Sequence, residues 1–465
     1  NPHLVFESLN AKGRPLTQAD LIRNYFFMMI HIDEQEDIYS RYWKPMQEAL
    51  SDYLTEFIRH YLMRDCKMVK QTDIYFSLKD IVNKGNALDY LKDLLKFASY
   101  YEKLLYPKKE ENPEIRKLLS RLNRFEVNTA YPFLLNCYDD YSQSKISAVE
   151  FANVLKILEN FLIRRFVCNV PTQGLNKIFP VLYRNIASNR FNTLAEGLKK
   201  ELQTKGYPKD IEFKSRLMDT KLYGAGDRAV KTKLILESIE ESYGHKEQVA
   251  FESLSIEHIM PQTLTEYWQN YLGEDWEITH ELLLHTIGNL TLTAYNAELS
   301  NDDYESKKSR LCNSHIEMNK YFQDKQAWKR EDIEKRSEYL AEKALAIWSY
   351  FGDETMQEQN MSGVTGTTPI KLLILGQSFD VQTWRDVLEQ TMNTIADLEP
   401  EKFEQIIQQF PRLIGRDKKR FRAVRELKNG AYIEVNLSAK SIEAFCLQAL
   451  EAVELTADDW KVETR

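Results

Sequence analysis

Histidine and cysteine are scarce in this chain: eight and five among 465 residues. The cysteines (Cys66, Cys137, Cys168, Cys312 and Cys446) are odd in number, scattered, and never spaced as C-x-x-C. That argues against a disulfide framework and a cysteine zinc site, and it suits a reducing cytoplasm. No run approaches the roughly 18 apolar residues that a membrane-spanning helix needs. The opening "NPHLVFESLN" has neither a basic start nor an apolar stretch before a small-residue cleavage site, so it does not read as a signal peptide. There is no fixed-period repeat and no G-x-x-x-x-G-K phosphate loop.

What is present is ample core material. Hydrophobic residues make up 43% and aromatics 12%, which excludes a disordered chain. The length suggests roughly two to four domains. The net charge of −8 hides an asymmetry: residues 161–240 hold 15 Lys/Arg against 8 Asp/Glu, whereas 241–350 hold 11 against 20. The acidic stretch would repel a polyanion unless it concentrates cations or has a basic neighbour.

The first 350 residues read as mostly helical. "GRPLTQADLIRNYFFMMI" starts a helix at Thr17, with Asp20 three residues on. "SAVEFANVLKILENFLIRRF" is another, with Ser147 and Glu150 as a capping box. Tyr-rich helices fill residues 33–140, and their aromatic stripes are expected to be core. Residues 352–368 are polar and lack periodicity, as a linker does. Beyond them "IKLLIL" reads as a strand and "TWRDVLEQTMNTI" as a helix capped by Thr383 and Asp386. "FRAVREL" and "AYIEVNL" flank Lys428-Asn429-Gly430 as a β-hairpin. A helix near 439–452 and a strand around Trp460 complete an α+β module.

The chemistry-bearing stretch is "SIEHIMPQTL", residues 255–264, followed by "GNLTLTAYN", residues 288–296. The second reads as a turn at Gly288 and a half-buried strand, with Leu290 and Leu292 alternating with Thr291 and Thr293. "NDDYESKKSRL" follows as a capped helix, so the order is strand, excursion, strand, helix. Adjacent strand residues point to opposite faces, so Glu257 and His258 are poorly placed to share one ion. They suit a phosphate flanked by a metal and by a water, the water losing its proton to an imidazole with a pKa near neutrality. Glu257 and Asn296 offer oxygen ligands, which suit Mg²⁺ or Mn²⁺ better than Zn²⁺.

"IEHIMPQ" with "GNLTLTAYN" resembles an HNH nuclease of the ββα-metal type. The resemblance implies His258, Asn289 and Asn296 as signature residues. His258 would be the general base, Glu257 and Asn296 the metal holders, and Asn289 a tie for the loop between the strands. Gln262, His285 and Lys307 are further candidates, Lys307 as a phosphate contact. The interval from Asn289 to Asn296 is short, which leaves Asn301 as an alternative metal ligand.

"FESLNAKGRPLTQADLIRN", residues 6–24, resembles the latter part of the ParB-like nucleotide-hydrolysing domain of GmrSD-type, modification-dependent restriction enzymes. That family's upstream Asp-Gly-Gln-Gln-Arg motif is not in the sequence, so the expectation is a truncated nucleotide site. Asn10, Lys12 and Gly13 would be its remnant, and an NTP is implied for the intact family protein only.

The expected fold class is mainly α and multidomain. Residues 1–80 would hold the ParB-like remnant with following helices, 81–185 a helical region, and 186–351 an HNH domain within helices. The linker 352–368 and the α+β module 369–465 follow. In that module, six of the ten residues 416–425 are basic. Arg416, Lys418, Lys419, Arg420 and Arg422 are therefore candidates for DNA backbone contact. Phe421 and Tyr432 are expected in the core.

The functional expectation is a cytoplasmic, metal-dependent DNA endonuclease of a restriction system acting on modified or foreign DNA. No membrane is involved; a second copy, a missing N-terminal segment or a partner subunit is left open. The competing expectation is a non-catalytic DNA-binding or scaffold fragment, and RNA is a third substrate class.

Overall fold

The computed structural model describes residues 16–65, 68–244, 249–352, 367–421, 423–455 and 459–465. It is mainly helical, with short sheets confined to residues 255–293 and 369–464. Contacts divide the chain into two compact units: residues 1–165 with 170–207, and residues 166–169 with 208–465. No helix among the described residues is long and apolar enough to cross a membrane.

Among its described residues the first unit is helical, and rings fill its core. The helix Gln18–Met29 begins at Thr17, whose hydroxyl accepts from the Asp20 N–H at 3.1 Å. The helices Leu54–Met63, Ala87–Leu105 and Tyr131–Ser142 supply Phe57, Tyr101 and Tyr138. Phe57 meets Tyr101 edge-on with centroids 5.2 Å apart, and Tyr100 stacks on Tyr138 at 5.0 Å. The expected stripes are thus helix–helix core. At Ser147 half of the expected capping box forms. Its hydroxyl accepts from the Glu150 N–H, while the Glu150 carboxylate accepts from the Ala195 N–H at 2.9 Å.

The second unit is built around a two-stranded antiparallel ribbon, β1 (Ser255–His258) and β2 (Leu290–Thr293), in the register Glu257 opposite Thr291 and His258 opposite Leu290. The excursion between the strands carries helices Glu266–Leu272 and Trp276–Leu283. Helix α1 (Tyr304–Cys312) follows, and the Asp303 carboxylate accepts from the Ser306 N–H at its start. Helix α2 (Arg330–Ile347) packs on the turn that leads into β2.

Two details of β2 differ from expectation. All four residues are buried rather than alternating, because Thr291 bonds Asn319 at 2.5 Å on the face expected to meet solvent. Gly288 is not there for a left-handed turn, since its φ is not positive. A Cβ at this position would lie 2.1 Å from the Ile333 carbonyl oxygen and 2.3 Å from Ser337 Oγ. Glycine is required by the close approach of α2.

The C-terminal module has two three-stranded sheets. One orders β3 (Pro369–Ile374) between β4 (Gln377–Asp380) and β8 (Trp460–Thr464). The other orders β7 (Tyr432–Glu434) between β5 (Ile414–Gly415) and β6 (Val424–Glu426). Helix α3 (Trp384–Leu398) carries the expected Thr383–Asp386 capping box, and α4 (Ala439–Ala452) packs against it. Gly430, at φ +75°, makes the hairpin turn. Arg412 joins the module to the ribbon-bearing part of the same unit, reaching Asp219 at 2.5 Å and Glu334 at 3.2 Å.

Candidate active site on the β1–β2 ribbon

Asn289 is completely buried, and its amide uses both of its ends. Its oxygen accepts from the Met260 N–H at 2.8 Å and from Trp328 Nε1 at 3.2 Å. Its nitrogen donates to the Met260 carbonyl at 2.9 Å and the Leu284 carbonyl at 3.0 Å. Met260 and Leu284 sit at the two ends of the excursion between the strands. Asn289 therefore closes that excursion as a covalent staple would, but with hydrogen bonds whose loss would leave buried groups unpaired.

His258 ends β1 and is 5% exposed. Its Nε2 lies 3.1 Å from His285 Nδ1, and Tyr223 meets its ring edge-on with centroids 4.7 Å apart. Tyr223 also stacks on His285, whose carbonyl accepts from the Leu222 N–H at 2.9 Å. Burial pushes the His258 imidazole down to about 3, with His285, Lys307 and His280 adding to the shift. Burial lowers His285 as well. The near-neutral value expected for His258 is thus not what this environment imposes: the ring is held neutral because a charged imidazole is poorly solvated there.

Glu257 leaves the ribbon on the other face. It is 3% exposed, and its Oε1 lies 2.5 Å from the ammonium of Lys307. Lys307 is on α1, is wholly buried, and also donates to the His258 carbonyl at 2.8 Å. Burial raises the Glu257 carboxyl and lowers the Lys307 amine, each shift being opposed by the partner's charge. Lys307 is thus an internal partner of the ribbon rather than the surface phosphate contact expected of it.

Asn296 is exposed at the start of the short helix Asn296–Leu299, beyond the Ser255 end of the ribbon. Asn301 and Gln262 are exposed too. Glu257, His258, His285, Asn289 and Lys307 are brought together, whereas these three stand outside that cluster. Among the described residues no group of three or more His, Cys, Asp or Glu is arranged to hold a metal.

The basic loop is partly spoken for. Arg416 pairs with Glu404 and donates to the Asn429 carbonyl at 2.6 Å, and Arg420 pairs with Glu281 at 2.7 Å. Lys418 and Lys419 are exposed, Phe421 is core, Tyr432 is half-buried, and Arg422 lies outside the described residues. So do Asn10, Lys12 and Gly13, and most of the linker. A cavity of about 660 Å³ lies elsewhere in the second unit, lined by Lys214, Asp219, Glu334, Arg412 and Ser441 among others, and it includes none of the expected site residues.

Four residues of the site escaped the sequence reading. Arg336, fully buried on α2, donates to the Gly288 carbonyl at 2.8 Å and the Leu290 carbonyl at 2.6 Å. Asn319 donates to the Leu292 carbonyl at 3.0 Å. Tyr223 and Trp328 touch His258 and Asn289 as described above. No local pattern marks any of them.

Residues 207–343 match the family model described as GmrSD restriction endonucleases, C-terminal domain. The matched segment contains the whole ribbon, α1 and most of α2, and it does not extend to residues 6–24. A search of curated proteins gives no match.

Proposed function

We infer, from the match of residues 207–343 to the C-terminal domain of GmrSD restriction endonucleases, that the chain is a DNA endonuclease of a restriction system and that the cut is made at the β1–β2 ribbon. The observation that carries this reading is the neutral His258 ring at the end of β1, oriented by His285 and set beside the Asn289-tied loop. With its proton on Nε2, shared toward His285 Nδ1, His258 keeps the Nδ1 lone pair for a water's proton. A histidine that stays neutral keeps its acceptor nitrogen unprotonated at ordinary pH, while the burial that lowers its pKa also weakens it as a base. Asn289 holds the strand ends in register, so its role is positioning.

The sequence offers Glu257 with Asn296 or Asn301 as holders of a divalent ion. Carboxylate and amide oxygens suit a hard ion such as Mg²⁺ or Mn²⁺, but Glu257 is buried against the Lys307 ammonium while Asn296 and Asn301 are exposed outside its cluster, so the residues as placed do not assemble a site for one. Modified or foreign DNA is the proposed target, with Lys418 and Lys419 exposed for backbone contact.

The test is nicking of supercoiled plasmid, modified and unmodified, with Mg²⁺ or Mn²⁺ against an EDTA control. His258→Ala should lower nicking by about 10²-fold or more. Nicking at the wild-type rate by that variant sinks the assignment. A second reading, a DNA-binding scaffold that does not cut, is favoured by the burial of both Glu257 and His258. Salt-sensitive DNA binding without any nicking by the folded wild type would select it.

A further inference from the structure

A phosphodiester is drawn to a site, and its charge offset there, by a positive group beside the phosphate. Lys307 does not supply that group at the histidine pair. It is wholly buried, and its ammonium is held by Glu257 and the His258 carbonyl. The loop 221–228 does offer one. Its backbone is pinned against the site: the Leu222 N–H donates to the His285 carbonyl at 2.9 Å, and the Leu222 carbonyl accepts from Thr232 Oγ1 at 2.8 Å. Arg228 donates to the Lys221 carbonyl at 2.9 Å. Tyr223 then touches both rings, stacked on His285 and edge-on to His258. Lys221 is thus fixed in the backbone two residues from Tyr223, while its own side chain is exposed.

An exposed lysine is ordinarily a solvated surface charge. Two features set this one apart. Among the described residues no carboxylate pairs with it, and the one acid of its loop, Asp227, is taken by Lys231. Its charge also reaches the site: burial first, and the Lys221 ammonium next, keep the His285 imidazole low. A cation without an internal partner, at the rim of two neutral imidazoles, is placed to receive an anion. We propose that Lys221 contacts the DNA phosphate presented to the His258–His285 pair. The proposal rests on the reading of His258 as the base at the ribbon. An ammonium suits the role because it meets a phosphate as a point charge and needs no fixed plane.

The experiment is binding of a fluorescent DNA duplex to the full chain in EDTA across a salt series, for wild type, Lys221→Gln and Lys221→Arg. Loss of one phosphate contact should flatten the slope of log affinity against log salt by about 0.9 in Lys221→Gln, so that wild type loses about eightfold more affinity than the variant per tenfold rise in salt. Lys221→Arg should keep the wild-type slope. Lys221→Gln should melt with wild type, since the side chain is exposed. Acetic anhydride labelling of wild type, read by mass spectrometry, locates the contact: Lys221 should be labelled in the free protein and protected with DNA bound. An unchanged slope in Lys221→Gln, equal labelling of Lys221 with and without DNA, or no DNA binding by wild type would overturn the contact. Wild-type nicking that is lost in His258→Ala but kept in Lys221→Gln with an unchanged slope removes only the role of Lys221. A flattened slope and a protected Lys221 in a protein that never nicks would instead remove the nuclease reading and leave the contact standing.

Discussion

The first unit and the ribbon region of the second are both well buried, but they are held by different means. In the helical unit, rings fill the space between helices, as where Tyr138 lies between Tyr100 and Phe151. Around the ribbon, polar groups are buried among the apolar ones: Asn289, Thr291, Asn319, Lys307 and Arg336 are each at 0% exposure, as are Ile259, Leu290 and Leu292. Ring packing is tolerant, because dispersion spreads over many weak contacts. A buried polar network is not, because each deletion leaves a partner unsatisfied. The lesson is that the site is kept rigid by hydrogen bonds and close backbone approach, while the helical unit depends on bulk apolar filling.

The largest effect should come from adding one methyl group beside the ribbon. Gly288→Ala places a Cβ against the Ile333 carbonyl and forces α2 off the turn. A loss of about 3–5 kcal/mol is expected, in the range of severe steric substitutions. Amide hydrogen exchange of segments within 255–293 would report it, and wild-type protection there would break the comparison.

A smaller effect is set by pH. Free in the unfolded chain, His258 titrates near 6.5, and in the folded protein burial holds it at about 3. The unfolded state therefore takes up the proton first. This contribution is fully present above pH 6.5 and is lost as pH falls toward 3, at up to about 1.4 kcal/mol per unit. From pH 6.5 to pH 5 that amounts to about 2 kcal/mol. Urea midpoints at pH 7 and pH 5 in EDTA should fall less steeply with acid for His258→Gln than for wild type. Parallel falls would show that His258 is not buried as a neutral ring.

The smallest effects are a matched pair. Thr291→Val removes a hydroxyl bonded to Asn319 and to Arg336 at 3.3 Å, and should cost about 1–3 kcal/mol. Tyr138→Phe removes a buried hydroxyl that has no hydrogen-bond partner among the described residues, and should change stability by less than about 0.5 kcal/mol. Equal costs by chemical denaturation would erase the distinction between the two kinds of core.

Much of the local structure was legible because it follows from local rules. Thr17, Thr383 and Asp303 cap helices where their side chains meet the backbone N–H three residues on. The Asn429-Gly430 hairpin follows from the positive φ that its turn demands. The site was legible in part. Glu257 and His258, and the Asn289 tie, stood in the motif. Strand β4 and the helix Pro400–Gln409 were not foreseen, since their short patterns compete with those of loops and turns.

The sequence by itself determined the helical class, the strand–excursion–strand–helix order and the identity of the residues at the ribbon, because periodicity, caps and turn chemistry act over a few neighbouring positions. Only the tertiary structure decided what surrounds those residues. Lys307 lies 50 positions from Glu257, and Arg336 lies 46 from Leu290. Desolvation and hydrogen-bond partnership depend on which distant segments arrive, so the protonation of His258, the counter-cation of Glu257 and the need for glycine at 288 were settled by packing.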